Sequence, residues 1–196
     1  QRLAISRDLH DNIGSQLTFI ISSVDNIKYA FDIQNEKLDA KLSNISSFAK
    51  DTIIELRDTI WAMNKSQISF EDLQTRIHNF VDKAKEVKQE IQFNFFVDSD
   101  LKDRKFSSIE GMNIYRTIQE AIHNSIKYAE AKNIDIKVKK LGTQIAIEIK
   151  DDGKGFDVTA VAKGHGLFNM QKRITEINGH FNLQSAASGT EINILL

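Results

Sequence analysis

Two long apolar stripes constrain the fold of the first third of this chain. Their members recur at steps of three, four and seven residues, the pattern of a helix packed lengthwise on a neighbour. The first stripe consists of Leu3, His10, Ile13, Leu17, Ile20, Val24, Ile27 and Phe31, and the second of Leu38, Leu42, Ile45, Ala49, Thr52, Leu56, Ile60 and Met63. The chain has no proline, so the strongest helix breaker is absent. The polar link DIQNEK between the stripes predicts an antiparallel helical hairpin.

Two helices that pack only on each other leave apolar surface uncovered. Stripes of this width favour a second copy of the chain, which would complete a four-helix bundle. We therefore predict a homodimer. A monomeric hairpin packed on the rest of the chain is the alternative.

After about residue 69 the pattern changes to a mixture of helices and strands. Three segments have the spacing of amphipathic helices, namely Phe70 to Lys88, Ser108 to Ala129 and Leu167 to Asn178. Five segments alternate as strands do, namely IQFNFFV, IDIKVKK, QIAIEIK, HFNLQSA and EINILL. Turns or helix ends are predicted at four places, namely Ser107 or Ser108 as an N-cap, Gly142, Gly179 and Ser188-Gly189.

This order of elements predicts an α+β fold with helices on one face of a mixed sheet. The natural boundary lies near residues 64–70. We therefore expect a helical domain over residues 1–66 and a sheet domain over residues 67–196.

Composition excludes several classes of function. The chain has no cysteine, which rules out disulfides, thiolate catalysis and cysteine-ligated metal sites. Its formal net charge of -1 gives no reason to expect nucleic acid as a partner. The apolar run LTFIISSV is too short to span a bilayer.

The sheet domain contains two glycine-containing segments with the character of a phosphate site. DDGKGFD follows the apolar strand IAIEI directly, and GHGL opens the next helix. Glycine lets a backbone approach a ligand closely, and a helix N-terminus offers free N–H groups to phosphate. Each segment alone fits an ordinary turn equally well.

The preceding helix carries three polar residues on one face. Glu120, Asn124 and Lys127 are spaced at i, i+4 and i+7. An acid, an amide and a cation in this arrangement suit a hydrated Mg²⁺ held against phosphates, because Mg²⁺ keeps several waters and needs few protein ligands. Taken alone, the same spacing also fits a solvated helix face.

Four segments in this order resemble the nucleotide-binding boxes of the GHKL ATPase superfamily. They are QEAIHNSIKYA, DDGKGFD, GHGLFNM and SGTEI, and the resemblance spans residues 70–196. It implies a Bergerat-type α/β sandwich with ATP and Mg²⁺ as cofactors. The usual KHA at the end of the first box reads KYA here, with Tyr128.

The resemblance assigns roles at the matching positions. Asn124 would ligate Mg²⁺, with support from Glu120, and Lys127 would contact phosphate. Asp151 would accept a hydrogen bond from the adenine amino group, and Thr190 would lie near the adenine.

Five further positions follow from the same boxes. Gly153 and Gly155 would let the nucleotide lie against the backbone. Gly164, Gly166 and Leu167 would form the end of a lid over the phosphates. We expect this lid, about Phe156 to Gly164, to be mobile without nucleotide.

The first helix resembles the phosphoacceptor box of nitrate-sensor-like sensor histidine kinases. The segment RLAISRDLHDNIGSQLT carries this resemblance, and ELRDTIWAMN at the end of the second helix is also typical of that subfamily. The resemblance implies a protein histidine kinase that uses ATP to phosphorylate His10. The phosphoryl group would then pass to an aspartate of a response regulator receiver domain.

The chemistry of His10 fits this role. A neutral imidazole is a good nucleophile near neutral pH, because its unperturbed pKa is about 6.5. Asp11 is the candidate to orient the ring and stabilise its developing charge. Arg7 lies one turn earlier, and Gly14 one turn later would clear space for an approaching domain.

Other readings remain open. A lone histidine on an apolar stripe is commonly a polar residue at a bundle seam, and a degenerate nucleotide-binding scaffold would keep the same boxes. A GHKL serine kinase acting on an anti-sigma partner is a third possibility, although such proteins lack the helical hairpin.

One departure concerns the reverse reaction. Relatives with phosphatase activity usually carry Gln five positions after the histidine, whereas this chain has Ser15 there and Gln16 next. One step along an α-helix is a rotation of about 100°. We therefore expect phosphatase activity to be weak or to use another geometry.

The chain begins almost at the phosphoacceptor helix. We expect it to be the cytoplasmic portion of a longer protein, with a missing sensor region and an anchor in the inner membrane.

Overall fold

The computed structural model describes residues 9–158 and 165–196, without the side chains of Leu9, His10 and His165. Arg7, Gly164 and most of the predicted lid lie outside the described residues. The chain divides into two compact units, Gln1–Ser66 and Gln67–Leu196. No helix of the described residues combines the length and apolarity needed to cross a membrane.

The first unit is the predicted helical hairpin. A π-helical turn at Leu9–Ile13 leads into α1 at Gly14–Ala30, and α2 follows at Glu36–Met63. The side chain of Asn35 caps α2 by accepting a hydrogen bond from the backbone nitrogen of Leu38 at 3.1 Å. Lys28 of α1 reaches Asp39 and Ser43 of α2, at 2.9 Å and 2.8 Å, so the two helices run antiparallel.

The core of this hairpin is thin. Val24 and Ala49 are 5% and 3% exposed. Four other residues of the predicted stripes are 41% to 49% exposed, namely Ile20, Ile27, Leu38 and Ile45. The single hairpin therefore leaves much of its apolar surface open.

Among its described residues, the second unit contains three α-helices. They are α3 at Phe70–Val87, α4 at Ser108–Asn124 and α5 at His165–Thr175. A short 3₁₀ turn lies at Ser99–Leu101. Capping boxes start α3 and α4, pairing Ser69 with Asp72 and Ser107 with Glu110. Of the two serines proposed for α4, Ser107 is therefore the N-cap.

The helix predicted over 108–129 is not α-helical to its end. Residues Ser125–Ala129 form a π-helical turn. The chain then leaves the helix through Glu130, which has a left-handed φ of 54°.

The helix predicted to continue to Asn178 ends earlier, at Thr175. Asn178 has the left-handed φ of 59° that closes such a helix end. Gly179 serves close packing instead. A Cβ on Gly179 would lie 2.7 Å from Leu196 Cδ2 and 2.8 Å from Ile174 Cγ2.

In the part of the chain that the structure describes, seven strands form two sheets. They are β1 at Gln67–Ser69, β2 at Gln92–Val97, β3 at Lys105–Ser107, β4 at Asn133–Leu141, β5 at Gln144–Asp151, β6 at His180–Ala186 and β7 at Gly189–Leu195. The large sheet has the order β2-β4-β5-β7-β6, in which β2 and β4 are parallel and the other neighbours are antiparallel. β1 and β3 pair antiparallel in a sheet of their own.

One face of the large sheet is apolar and the other is polar. The apolar face carries the buried isoleucines of β4, β5 and β7, and α3, α4 and α5 pack over it. The polar face carries cross-strand ion pairs, with Lys137 to Glu148 at 2.7 Å and Lys150 to Glu191 at 3.3 Å. The predicted α+β fold, with helices on one face of a mixed sheet, is confirmed.

Candidate nucleotide-binding site

A cavity of about 530 Å³ lies between the end of α4, the loop after β5, the start of α5 and the paired strands β6 and β7. Seven of the ten residues predicted to bind nucleotide line it, namely Glu120, Asn124, Asp151, Gly155, Gly166, Leu167 and Thr190. Gly153 and Lys127 do not line it, and Gly164 lies outside the described residues. Segments far apart in sequence therefore converge on one concave surface.

Asp151 is the most firmly held side chain of the cavity. It is 3% exposed, at the end of β5 on the apolar face of the sheet. Its Oδ1 accepts hydrogen bonds from the backbone nitrogens of Gly153 at 3.0 Å and Thr190 at 3.2 Å. Its Oδ2 accepts a hydrogen bond from Ser125 Oγ at 2.7 Å. The carboxyl group is thus presented to the cavity in a fixed orientation.

The loop after β5 is packed tightly on its neighbours on both sides. A Cβ on Gly153 would overlap the carbonyl oxygen of Ala129, and one on Gly155 would overlap the carbonyl oxygen of Ala186. The nitrogen of Lys154 donates to the oxygen of Ala129 at 2.9 Å. Gly153 acts by this close approach behind the cavity, while Gly155, with a φ of +60°, lines the cavity itself.

Glu120 and Asn124 lie one turn apart on α4, facing the start of α5. The amide nitrogen of Asn124 donates to Glu120 Oε1 at 3.4 Å. A Cβ on Gly166 would overlap Glu120 Oε1, so a side chain at this position would displace the acid. Because its nitrogen is directed to Glu120, Asn124 would offer Oδ1 to a metal ion. A carboxylate and an amide oxygen suit Mg²⁺, which needs only one or two protein ligands beside water and phosphate.

Lys127 is placed differently from the expectation. Its ammonium group lies 5.0 Å from the centre of the Tyr128 ring, and the Tyr128 side chain, not Lys127, lines the cavity. The cation among the described lining residues is Lys154, which pairs with Glu130 at 2.6 Å. The hydrogen bond from Lys154 holds the pKa of Glu130 below its usual value.

Sequence reasoning missed the apolar walls and the hydroxyl groups behind the cavity. The apolar walls include five residues, namely Ile149, Phe156, Met170, Leu183 and Ile192. Ser185 Oγ accepts from the nitrogen of Phe156 at 2.9 Å and lies 3.0 Å from Thr190 Oγ1. The alternation of β6 and β7 is the signal from which the inward-facing Leu183 and Ile192 could have been found. No sequence pattern marks a serine that hydrogen-bonds to two other elements.

The predicted phosphoacceptor region belongs to the helical unit. His10 lies within the π turn Leu9–Ile13, and Asp11 follows it on an exposed surface. Ser15 Oγ donates to the carbonyl oxygen of Asp11, and Gln16 Nε2 donates to Asn12 Oδ1 at 2.9 Å. Ser15, at the expected glutamine position, and Gln16, next to it, therefore both hydrogen-bond within their own helical segment.

Two sequence families match this chain. The family described as "Histidine kinase" matches residues 1–68. The family described as "Histidine kinase-, DNA gyrase B-, and HSP90-like ATPase" matches residues 110–196. The two matches together take in the hairpin and every predicted nucleotide-binding residue.

A curated relative matches the full chain. It is an uncharacterized sensor-like histidine kinase of Chloroflexus aurantiacus, 28% identical over 204 aligned positions. The alignment takes in 100% of this chain and 34% of the relative, so the chain spans about a third of that protein's length.

Solved structures share the fold at low identity. The histidine kinase AdeS of Acinetobacter baumannii superposes with a TM-score of 0.62 at 15% identity, over 95% of this chain and 96% of that chain. The histidine kinase domain of a blue-light activated kinase from Erythrobacter litoralis gives 0.60 at 14% identity, over 91% and 95%. These likenesses show the fold.

Proposed function

The chain belongs to the sensor histidine kinases, with a GHKL-type ATPase domain, and from this membership we propose that it phosphorylates His10 with ATP. The phosphoryl group then passes to an aspartate of a response regulator receiver domain. The observation that carries this proposal is the cavity, in which the residues of four separate boxes meet around a buried, oriented carboxyl group.

ATP binding is assigned to the cavity by its chemistry. The carboxyl group of Asp151 accepts hydrogen bonds and so suits the adenine amino group, while Ile149, Leu183 and Ile192 provide apolar walls. Asn124 would hold Mg²⁺ with help from Glu120, and the ion, when bound, would supply charge neutralisation on the phosphates. Gly166 and Leu167, at the start of α5, face the phosphate side of the site.

The transfer step is a displacement at the γ-phosphorus. A ring nitrogen of His10 attacks, a P–N bond forms, and the bond to the bridging oxygen breaks to release ADP. Asp11 orients the ring and offsets its developing positive charge. Positioning and charge neutralisation supply most of the rate enhancement.

Two further assignments belong to this proposal. The apolar stripes left open on α1 and α2 favour a homodimer that forms a four-helix bundle. The chain is the cytoplasmic catalytic portion of a longer, membrane-anchored sensor, in keeping with its span of about a third of a sensor-like relative.

Incubation with γ-labelled ATP and Mg²⁺ tests the proposal. We expect an acid-labile, alkali-stable label on the chain that disappears in His10→Ala. His180→Ala is the control, because His180 is an exposed histidine at the start of β6. Absence of label, together with intact ATP binding, would indicate a nucleotide-binding scaffold instead.

A further inference from the structure

The contact between Ser125 and Asp151 is a buried hydrogen bond that joins the first and second nucleotide-binding boxes, and the resemblance assigned no role to Ser125. Ser125 is 7% exposed and Asp151 3% exposed, and Ser125 Oγ lies 2.7 Å from Asp151 Oδ2. Within the described residues, Ser125 is the one side chain that hydrogen-bonds this carboxyl group. The other two donors are the backbone nitrogens of Gly153 and Thr190.

The Ser125 hydroxyl has two possible acceptors, and comparing them shows where its hydrogen is donated. Ser125 Oγ also lies 3.2 Å from the carbonyl oxygen of Ala121, the partner a serine usually takes inside a helix. A hydroxyl has one hydrogen to donate. The shorter contact to a carboxylate is the stronger bond, so the hydrogen goes to Asp151.

The remaining capacity of Asp151 lies on the oxygen that Ser125 contacts. An ionised carboxylate offers about four acceptor sites. Two sites on Oδ1 and one on Oδ2 are occupied by the three donors. The site left over belongs to Oδ2, whose position the Ser125 hydroxyl determines.

We propose that Ser125 is a positioning residue that sets the base selectivity of the nucleotide site. By holding Oδ2, it aims the last acceptor site of Asp151 at a donor on C6 of a purine, and so favours an amino group over a carbonyl. This inference rests on the proposed function, in which Asp151 accepts a hydrogen bond from adenine. The π turn Ser125–Ala129 begins at this serine.

Equilibrium binding of ATP and ITP to the wild type and to Ser125→Ala tests the proposal. ITP has a carbonyl oxygen on C6 in place of the amino group, so it has no hydrogen there to give Asp151. We expect the ATP dissociation constant to rise about five- to tenfold in the variant, while that of ITP changes less than about twofold. An equal loss for both nucleotides, or no loss for ATP, overturns the proposal.

Thr117 offers a matched control, because it is another buried hydroxyl residue close to Ser125 in sequence. Thr117 of α4 is fully buried, and its hydroxyl donates to the carbonyl oxygen of Asn113 at 2.8 Å. Thr117→Val removes a buried hydroxyl bond without touching Asp151, so the ratio of ATP to ITP affinity should stay at the wild-type value. A fall in this ratio as large as that in Ser125→Ala would contradict a specific role for Ser125.

Two more variants separate the possible outcomes. Ser125→Thr keeps the hydroxyl and should retain the wild-type ratio of affinities. If Ser125→Ala does not fold, Ser125→Cys replaces it in the experiment. A thiol is a weak hydrogen-bond donor, so this variant should lower the ratio of ATP to ITP affinity. An unchanged ratio overturns the proposal. A wild-type chain that binds no ATP contradicts the proposed function, whereas normal ATP binding with unchanged ratios in the variants contradicts the role of Ser125 alone.

Discussion

Gly142 and Gly155 have nearly the same backbone conformation in different surroundings. Their φ angles are +61° and +60°, a region in which a Cβ costs about 1–2 kcal/mol. A Cβ on Gly142 would meet no atom within 4 Å, whereas one on Gly155 would overlap the carbonyl oxygen of Ala186. The pair therefore separates backbone strain from steric overlap.

We expect Gly142→Ala to lower the free energy of unfolding by about 1 kcal/mol and to leave ATP binding unchanged. Gly155→Ala should cost about 3 kcal/mol or more, because β6 must move, and it should weaken ATP binding. Urea denaturation and equilibrium binding measure the two effects. Equal destabilisation in the two variants would contradict the close packing at Gly155.

Asp152 gives the fold a pH dependence. Its Oδ2 accepts from Asn133 Nδ2 at 2.6 Å, and its Oδ1 accepts from the nitrogens of Lys132 and Asn133, both at 2.8 Å. The hydrogen bond from the Asn133 side chain and then those from the backbone hold the pKa of Asp152 below its usual value of 3.8. The ionised carboxylate therefore stabilises the fold fully above that value, and the contribution is lost as the pH falls through the lowered pKa.

We expect Asp152→Asn to lower the free energy of unfolding by less than about 1 kcal/mol near neutral pH, because the group is exposed. The difference from the wild type should shrink as the pH falls from 5 toward about 2.5. Denaturant titrations across this range measure it. Asp100→Asn is the control, because it removes an exposed charge on the 3₁₀ turn. If the free energies of unfolding of Asp152→Asn and the wild type differed by the same amount at every pH, the pH dependence assigned to Asp152 would be contradicted.

Among the described residues, the apolar periodicity did not predict two π turns. It also did not predict the short strands β1 and β3 or the 3₁₀ turn Ser99–Leu101. The π turns lie at Leu9–Ile13, which contains the predicted phosphoacceptor His10, and at Ser125–Ala129, in the cavity wall. A π turn closes i→i+5 hydrogen bonds and so changes the rotation from one residue to the next. Periodicity over a whole helix averages out one widened turn, which is why the helices could be predicted and these turns could not.

The first π turn bears on the reverse reaction. The 100° step that separates Gln16 from Ser15 holds in the α-helix from residue 14 onward, but the step differs over residues 9–13. The Gln16 amide is bonded to Asn12. We still expect weak phosphatase activity, with a similar rate in Gln16→Ala. The Ser15 hydroxyl and the Gln16 amide both hydrogen-bond within their own helical segment and are not directed toward a receiver.

The measurement is the decay of a cognate phospho-receiver with and without this chain. Asn12→Ala frees the Gln16 amide and is the informative comparison, since faster decay in that variant would assign the low rate to the Asn12 bond. Rapid dephosphorylation by the wild type, unaffected by Gln16→Ala, would contradict the expectation.

At the scale of the whole molecule, the uncovered stripes of the hairpin predict self-association. Ile20 is 41% exposed in the middle of the α1 stripe. Ile20→Glu would place an unpaired charge in a bundle core, which costs about 3 kcal/mol or more. The dimer dissociation constant should rise about a hundredfold, as measured by sedimentation equilibrium.

Tyr29→Glu is the control for this prediction. Tyr29 is 93% exposed and lies outside the stripe, so the charge should stay in water and leave association unchanged. ATP binding should survive in both variants, because every described residue of the cavity belongs to the sheet unit. A monomeric wild type would contradict the homodimer.

Much of the candidate site could be predicted because its candidate binding residues lie in short, ordered motifs. The fold class and the convergence of Glu120, Asn124, Asp151 and Thr190 followed from these motifs and from periodicity. The position of Lys127 could not be predicted from these motifs, because it depends on the π turn and on the contact of its ammonium group with the Tyr128 ring. Bonds such as Ser125 to Asp151 join elements 26 residues apart, and no local pattern encodes such a distance.

The strand order has a consequence for biosynthesis. β7 is the last strand in sequence, yet it lies between β5 and β6 and pairs with both. A nascent chain that has emerged only as far as residue 186 holds β5 and β6 without the strand that joins them, and Asp151 still lacks the backbone donor from Thr190. The large sheet therefore closes only after the residues of β7 have left the ribosome, so the helical hairpin emerges and can fold before the candidate nucleotide site is complete.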